Sequence, residues 1–279
     1  MDVKQAGERL ASVYRANGIK GTARRAVRKV RSLSAGVSFD EVDVIRQSLI
    51  ARQDGGLMVD VGAQRGNTLV GFLDAGWDVI AFEPDPINLV ELKVRHGNRQ
   101  GLAILELALS DELRDNVDFY GSNRSTGISG LLHFDESHEV VASVEVSTLD
   151  VVLRDRGISS IDFLKIDTEG HDLAVLRGAD LEALAPAIIV AEFDQFKANH
   201  GGHSLGEIEE YLQAAGYETF VSEWHPIDSY GGTHRWHRVC KAADDLADDL
   251  AWGNIIGVRS AENAQQLMQA IEIAGVNGS

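Results

Sequence analysis

The sequence is an acidic chain of 279 residues with a formal net charge of −17, and 44% of its residues are hydrophobic. This length and composition suit one large domain with a buried core, so neither disorder nor a fibre is expected. No apolar run reaches the roughly 18 residues that a membrane span needs, and the N-terminus lacks an apolar signal-peptide segment. The one cysteine, Cys240, excludes an internal disulfide and suits a reducing compartment. We therefore expect a soluble, cytoplasmic protein.

Charge is distributed unevenly along the chain. Residues 1–31 hold nine Lys or Arg and two acidic residues, which leaves a charge of −24 for the rest. The acidic body argues against nucleic-acid binding, because phosphate recognition needs a basic face. The basic segment has two interpretations: peripheral contact with an anionic membrane surface, or a solvated helix beside the main domain. Residues 1–53 are predicted as an N-terminal helical extension, and residues 54–279 as the main domain.

From residue 54 onward, short apolar runs alternate with helical patterns. This alternation favours right-handed crossovers and a parallel sheet. The predicted fold class is α/β: a doubly wound, mostly parallel seven-stranded sheet of Rossmann-like type, with the N-terminal helical extension and an added β-hairpin. The hairpin is predicted at residues 117–120 and 140–146, and the seventh strand is expected to run antiparallel to the sixth. The predicted strands of the main sheet are residues 57–61, 79–82, 103–109, 161–166, 187–191, 218–221 and 255–258.

The turn after the first predicted strand reads Asp60-Val61-Gly62-Ala63-Gln64-Arg65-Gly66. Glycines there let the backbone approach a ligand closely, and parallel sheets bind nucleotides beyond the carboxyl ends of their strands. A dinucleotide fingerprint needs Gly-x-Gly-x-x-Gly, and Gln64 breaks it. An acidic residue just before the turn suits a cationic ligand such as the methionine part of S-adenosylmethionine. The residues predicted to bind this cofactor are Asp60, Gly62, Ala63 and Gly66.

Two further acidic residues fit the same ligand. Glu83 ends the second predicted strand, where a carboxylate can accept hydrogen bonds from both ribose hydroxyls. Asp111 follows the third predicted strand and can reach the adenine side of the crevice. The alternative for Asp111 is an ordinary acidic side chain on the surface.

Four motifs occur in a specific order along residues 55–195, about half of the chain. They are Val59-Asp60-Val61-Gly62-Ala63, Ala81-Phe82-Glu83-Pro84-Asp85-Pro86, Thr148-Leu149-Asp150 and Leu164-Lys165-Ile166-Asp167-Thr168-Glu169-Gly170. Together they resemble the FkbM family of methyltransferases. The resemblance implies a class I methyltransferase fold and O-methylation with S-adenosylmethionine, commonly of sugar or polyketide-type hydroxyls. It also implies that Asp60, Gly62 and Glu83 bind the cofactor and that Asp167 and Glu169 lie in the active site. The sequence departs from the family at His171 and Asp172, where a small residue followed by Glu is usual.

Acidic and histidine side chains follow the fourth and fifth predicted strands. A neutral alcohol must lose its proton as it attacks a sulfonium methyl group, which calls for a base or a metal. Asp167, Glu169 and His171 are the candidate catalytic residues, and His171 suits a base because the ordinary histidine pKa is near neutral. A surface or helix-capping role is the alternative for His171. Asp167, Glu192 and Asp194 are candidate ligands for a divalent metal such as Mg²⁺ or Mn²⁺. As alternatives, Asp167 would bind the cofactor's amino group and Glu192 a substrate hydroxyl.

The long segment at residues 222–254 is rich in aromatic residues and histidines. It connects the sixth and seventh predicted strands on the ligand side of the sheet, so Trp224, His225 and Trp236 are predicted to bind the acceptor. The alternative is a small satellite core under a loop.

The predicted function is S-adenosylmethionine-dependent O-methylation of a hydroxyl on a sugar, a glycan or a glycosylated metabolite. The expected partner is therefore a small-molecule or glycan acceptor. A non-catalytic nucleotide-sensing or scaffold module on the same fold is one alternative. An NAD-dependent dehydrogenase or epimerase is another, and both Gln64 and the motif at residues 165–170 disfavour it.

Overall fold

The computed structural model describes residues 39–51, 53, 55–122, 126–226, 234–248 and 250–278. In chain order, its strands are β1 (Leu57–Val61), β2 (Asp78–Phe82), β3 (Leu102–Leu105), β4 (Ala108–Leu109), β5 (Arg114–Ser122), β6 (His138–Ser147), β7 (Phe163–Ile166), β8 (Ile188–Asp194), β9 (Glu218–Trp224), β10 (Trp236–Cys240) and β11 (Trp252–Val258). The α-helices are α1 (Glu41–Ile50), α2 (Val70–Asp74), α3 (Pro86–His96), α4 (Leu149–Asp155), α5 (Asp172–Arg177), α6 (Leu181–Leu184), α7 (Gln195–Gly201), α8 (Leu205–Ala214) and α9 (Ala261–Gly278).

Within the described residues, eight strands form one sheet in the spatial order β3-β2-β1-β7-β8-β11-β9-β10. β1 pairs in parallel with β2 and β7, and these pair in parallel with β3 and β8. β11 runs antiparallel to both β8 and β9. The strand order reverses next to β1, which places the end of β1 at the switch point where such sheets bind ligands. The predicted α/β class, with its mostly parallel sheet and antiparallel seventh strand, is confirmed.

Helices cover both faces of this sheet. Successive strand residues belong to different hydrophobic clusters: Val59 and Leu164 to one, Met58 and Phe163 to the other. This period of two follows from the alternation of side chains along a strand. The first cluster includes residues of α4, α5, α6 and α8, and the second includes residues of α1, α2, α3 and α9. Two buried faces explain why the strands read as continuous apolar runs.

The observed strands differ from the predicted ones in two places. The predicted strand at residues 103–109 is divided: β3 joins the main sheet, whereas β4 pairs with β6. The segment expected to be only a connection contains β10, which pairs antiparallel with β9 and makes an eighth strand. An added strand of this kind covers an edge that would otherwise expose unpaired backbone groups. The predicted hairpin is present as β5 and β6, and with β4 it forms a three-stranded sheet.

The helix α1 is built into the core of the main domain. Ile45 and Leu49 are buried in the second cluster together with Phe39. Glu41 is 3% exposed, and its Oε1 accepts hydrogen bonds from Trp224 Nε1 at 3.0 Å and Asn254 Nδ2 at 2.7 Å. The basic segment at residues 1–31 lies outside the described residues. The predicted division of the chain between residues 53 and 54 stays a prediction.

The C-terminal helix α9 follows β11, in a region where the sequence analysis assigned no element. Leu267 and Ile271 pack in the second cluster, whereas Ile273 and Val276 are exposed. In the described part of the chain, no helix combines the length and the apolar character of a membrane span.

Candidate active site

A cavity opens at the carboxyl edge of the main sheet, where β1, β2 and β7 end side by side. It encloses about 900 Å³, with open solvent at its mouth included. One wall comes from the loop after β1 and the turns after β2 and β7. The opposite wall comes from the small sheet and its connecting loop, through Phe119, Gly127, Ser129, Gly130 and Leu131.

The loop after β1 turns sharply because two glycines adopt left-handed backbone angles. Gly62 has φ +79°, and a Cβ atom there would lie 1.9 Å from the carbonyl oxygen of Asp167. Gly66 has φ +76°, and a Cβ there would lie 2.6 Å from Leu92 Cδ1. Between them, Gln64 holds φ 50° without being glycine. The two glycines therefore let the loop pack against the end of β7 and against α3.

Glu83 lies at the end of β2 and lines the cavity while only 4% exposed. Its Oε2 accepts a hydrogen bond from the Gln64 backbone N–H at 2.6 Å, and its Oε1 accepts one from Asp85 N–H at 2.7 Å. Burial, with the neighbouring Asp85, raises the pKa of Glu83 well above its ordinary value. Hydrogen-bond donors from a ligand would offset this cost of burying a carboxylate.

A buried lysine joins the ends of β1 and β7. Lys165 Nζ lies 3.3 Å from Asp60 Oδ1 and 3.2 Å from Asp167 Oδ2. Burial opposes the charge of Lys165, but Asp167 and Asp60 outweigh it and raise the pKa of the lysine. Asp60 is fully buried, and burial raises the pKa of its carboxyl group. Lys165 therefore stays charged on the cavity wall, with Asp60 behind it.

The turn after β7 places Glu169 on the cavity wall. Glu169 has φ 59° and Gly170 has φ +92°, so two successive residues adopt the left-handed region. Such strain persists where the surrounding structure enforces it, and here α7 packs directly on the turn. Burial raises the pKa of Glu169 to about 7, although Lys197 acts in the opposite direction. A carboxyl group with this pKa can accept and release a proton near neutral pH.

His171 also lines the cavity, but it is a weak base. Its Nε2 lies 2.9 Å from Ser110 Oγ, and Ser110 Oγ donates to Asp111 Oδ1 at 3.0 Å. Burial, followed by the positive charge of Arg114, lowers the pKa of His171 to about 4. The ordinary near-neutral pKa used in the sequence analysis does not apply to His171, because the sequence shows neither the burial nor Arg114. The ring is neutral at pH 7.

The FkbM methyltransferase domain family matches residues 60–219, which include every residue that lines the cavity. The chain belongs to this family. It is an S-adenosylmethionine-dependent methyltransferase, as the motifs predicted.

Relatives of this FkbM methyltransferase include the 2-O-methyltransferase NoeI of Sinorhizobium fredii (strain NBRC 101917 / NGR234). It is 24% identical over 181 residues, which cover 59% of this chain and 74% of the relative. Magnesium protoporphyrin IX methyltransferase from Synechocystis PCC 6803, solved with bound S-adenosylmethionine, is 13% identical with a TM-score of 0.42 over 78% of each chain. A TehB-like methyltransferase from Corynebacterium glutamicum is 13% identical with a TM-score of 0.40, over 86% of this chain and 99% of that one. Structural similarity this low supports no conclusion about activity.

The cofactor residues predicted for this FkbM methyltransferase divide into two groups. Gly62, Ala63 and Glu83 line the cavity, as do the catalytic candidates Asp167, Glu169 and His171. Asp60, Gly66 and Asp111 lie off the wall. Asp60 is buried behind Lys165, and Gly66 packs on α3. Asp111 is exposed because β4 leaves the main sheet, and the residues that face the cavity there are Leu107, Ala108 and Leu109.

Trp224 and Trp236, predicted to bind the acceptor, lie in the hydrophobic core instead. They are 8% and 6% exposed, and their ring centroids lie 5.8 Å and 5.1 Å from that of Phe39. The prediction is corrected: the pairing of β9 with β10 turns both rings toward α1 and α9 and into the second main cluster, which is larger than the small satellite core of the alternative. His225 is half-buried, and its ring stacks on His237 at 4.5 Å. It is not part of the cavity wall, so its role in acceptor binding stays a prediction.

Replacing Trp224 by Phe should destabilise the protein without weakening cofactor binding. The change keeps most of the ring volume but removes the hydrogen bond that the indole donates to Glu41. Leaving a buried carboxylate short of a donor costs about 1–3 kcal/mol of unfolding free energy. Thermal melting and calorimetric titration with S-adenosylhomocysteine measure the two properties. Trp252→Phe is the matched control, because its indole donates to the neutral carbonyl of His225. An unchanged melting temperature with a raised acceptor KM would restore the acceptor-binding role.

The predicted metal ligands are only partly brought together. Carboxylate oxygens of Asp167, Glu169 and Glu192 all lie within 4.8 Å of one another. Asp194 instead caps α7, where its Oδ1 accepts hydrogen bonds from Phe196 N–H at 3.0 Å and Lys197 N–H at 3.2 Å. Glu169 thus takes the place that was assigned to Asp194, and a bound metal stays a prediction.

Two lysines of the site were missed by the sequence analysis. Lys165 could have been found, because a lysine within the apolar run of a buried strand requires a carboxylate partner. Lys197 gives no such signal: it stands in a polar stretch, and its partners Glu169, Glu192 and Asp194 are reached only through the fold.

Proposed function

We propose that this protein transfers a methyl group to a hydroxyl oxygen of a sugar, a glycan or a glycosylated metabolite. The observation that carries the proposal is the Glu169 carboxylate on the cavity wall, placed by a strained turn at the edge where the cofactor loop also ends. Oxygen methylation needs a group that removes the hydroxyl proton. The similarity to a 2-O-methyltransferase and the carbohydrate acceptors that the FkbM resemblance implies both support this acceptor class.

The loop after β1 and the end of β2 fit the adenosine part of S-adenosylmethionine. Glu83 is held by two backbone N–H groups and would accept hydrogen bonds from the ribose hydroxyls. The apolar residues at positions 107–109 would contact the adenine ring. Lys165 and Asp167 carry opposite charges on the same wall and suit the carboxylate and amino groups of the methionine part. When bound, the cofactor supplies an electrophilic methyl group, and its sulfur keeps the electron pair of the broken C–S bond.

The acceptor side of the cavity is polar. Ser129 Oγ and Thr168 Oγ1 are buried, line the cavity and have no hydrogen-bond partner within the described part of the chain. Buried hydroxyls normally have a partner, so an acceptor rich in hydroxyl groups would satisfy both. Glu169 would take the acceptor's hydroxyl proton while the new C–O bond forms. Fixed donors and acceptors of this kind speed the reaction mainly by alignment.

Transfer of a labelled methyl group from S-adenosylmethionine to a panel of sugars and oligosaccharides tests the proposal. We expect label on an acceptor oxygen and an equal amount of S-adenosylhomocysteine. Deoxy analogues of an active acceptor should lose the label when the methylated hydroxyl is the missing one. Cofactor binding with transfer only to nitrogen or carbon acceptors would refute the O-methylation proposal.

Glu83→Gln should weaken the binding of S-adenosylhomocysteine by about 1–3 kcal/mol. One oxygen of the carboxylate becomes an NH₂ group, which cannot accept the backbone N–H of Gln64 or Asp85 and faces a donor instead. Calorimetric titration gives the affinity, and Glu210→Gln serves as a control because Glu210 is exposed on α8 and does not line the cavity. Unchanged affinity would remove Glu83 from the cofactor site.

A further inference from the structure

Lys197 lies among buried carboxylates beside the cavity. Its Nζ is 2.5 Å from Glu169 Oε2, 3.4 Å from Glu192 Oε2 and 3.7 Å from Asp194 Oδ2. The Lys197 side chain is only 3% exposed, so carboxylates rather than water stabilise its charge. The chain itself therefore supplies a cation that offsets part of the negative charge of this group.

The backbone holds the helix that carries Lys197 against the turn that carries Glu169. Lys197 N–H is bonded to Asp194 Oδ1 in the first turn of α7. A Cβ atom added to Gly170 would lie 2.9 Å from three atoms of Lys197, and one added to Gly201 would lie 2.5 Å from the Gly170 carbonyl oxygen. α7 therefore sits directly on the turn that carries Glu169. The backbones of Lys197 and Glu169 are therefore held close together.

The same carboxylates are those that a divalent ion would need. A metal bound by Asp167, Glu169 and Glu192 would share two of its three ligands with the Lys197 ammonium. Two cations repel each other strongly where little water separates them. The residues present therefore do not fit a divalent metal unless Lys197 is displaced.

We propose that Lys197 is the built-in cation of the acceptor site and that it holds Glu169 and Glu192 in the place of a divalent metal. Its role is that of a positioning residue. The ammonium holds Glu169 by Oε2, which leaves Oε1 of the carboxylate to meet the acceptor hydroxyl. The statement that this site binds the acceptor rests on the proposed function. Whether the cation of the site is the Lys197 ammonium or a divalent metal does not depend on that function.

Titration of the full-length protein with Mn²⁺, after removal of metals with EDTA, tests the proposal. The variants are Lys197→Met, which keeps the apolar stem without the charge, and Lys197→Arg, which keeps the charge. Lys241→Ala is the control, because Lys241 is exposed and distant from the cavity wall. Binding is measured by calorimetry and by the shift in melting temperature that Mn²⁺ causes.

We expect no specific Mn²⁺ binding by the parent protein, Lys241→Ala or Lys197→Arg. Lys197→Met should melt at a lower temperature, bind Mn²⁺ at least about tenfold more tightly than the parent, and be stabilised by it. If Lys197→Met does not fold, Mn²⁺ binding by the parent protein and by Lys197→Arg tests the proposal. A folded Lys197→Arg variant that does not bind Mn²⁺ then supports the proposal. Parent protein that binds Mn²⁺ and loses it in Glu169→Gln overturns the proposal. So does a Lys197→Met variant with unchanged melting temperature and no gain of Mn²⁺ binding. Absence of methyl transfer to any hydroxyl acceptor would contradict only the proposed function, because the Mn²⁺ titration does not depend on activity.

Discussion

Glu169→Gln is expected to lower kcat for methyl transfer by about 10²–10⁴-fold, the usual contribution of a positioned general base. The amide has the size of the carboxylate but cannot accept the acceptor's proton. Lys197 keeps Glu192 and Asp194 as partners, so the fold should survive. Affinity for S-adenosylhomocysteine should change little, because Glu83 and the loop after β1 are untouched. Initial rates and calorimetric titration measure the two effects.

Glu182→Gln is the matched control for this change, because Glu182 is exposed on α6. It should leave kcat unchanged. A Glu169→Gln variant with nearly full kcat would mean that another group removes the acceptor's proton. The main support for the proposed function would then be lost.

The pH profile of kcat carries a second signature of Glu169. Burial raises the pKa of Glu169 to about 7, with Lys197 lowering it and Asp167 and Asp172 raising it further. A base acts only when ionised, so kcat of the parent should fall as the pH drops below about 7. This fall in kcat at low pH should be absent from the residual rate of Glu169→Gln. It should remain in His171→Gln, because the pKa of His171 is lowered to about 4. If the fall disappears in His171→Gln, the histidine is the base.

Gly62→Ala is expected to reduce the unfolding free energy by about 3–5 kcal/mol and to weaken cofactor binding at least tenfold. The left-handed backbone angle alone costs roughly 1–2 kcal/mol for a residue with a Cβ atom. The larger part comes from the clash with the Asp167 carbonyl oxygen, which would lie 1.9 Å from the new Cβ. The loop and the end of β7 must separate, and both belong to the cavity wall. Chemical denaturation and titration with S-adenosylhomocysteine give the two values.

Gly76→Ala separates the two contributions. Gly76 has φ +79°, the same angle as Gly62, but nothing lies within 4 Å of a Cβ placed there. This variant should lose only the roughly 1–2 kcal/mol of backbone strain and keep its cofactor affinity. Equal losses in the two variants would mean that the contact between Gly62 and Asp167 contributes nothing.

The sequence predicted the parts of the site that depend on local pattern. The apolar runs of β1, β2 and β7, each followed by glycine or an acidic residue, were enough to place Gly62, Glu83 and Asp167 around one crevice. Parallel strands bring their carboxyl ends to one edge, so order along the chain becomes proximity in space. The family motifs supplied Glu169, which no spacing argument had placed.

The parts that the sequence could not predict depend on how elements leave the sheet. Asp111 would face the adenine side if residues 103–109 formed one strand, but β4 pairs with β6 and carries Asp111 outward. The tryptophans look like ligand-binding residues only when β10 is read as a loop. Asp194 caps α7, but the sequence of this helix is short and polar and has no apolar periodicity, so the helix was not predicted. Without the helix, Asp194 was assigned to a metal site.

The hydrogen bonds of Glu41 have a consequence for the order of folding. Its partners Trp224 and Asn254 lie 183 and 213 residues further along the chain. During synthesis from the N-terminus, α1 is made before the other described helices and strands, but its docking site on β9 and β11 is completed only when most of the chain has been made. Contacts of such long sequence separation also slow folding in general, because the intervening chain must be ordered before they form. Docking of α1 is therefore expected to be a late step, and until then the amphipathic face of the helix, with Ile45 and Leu49, has no partner on the sheet.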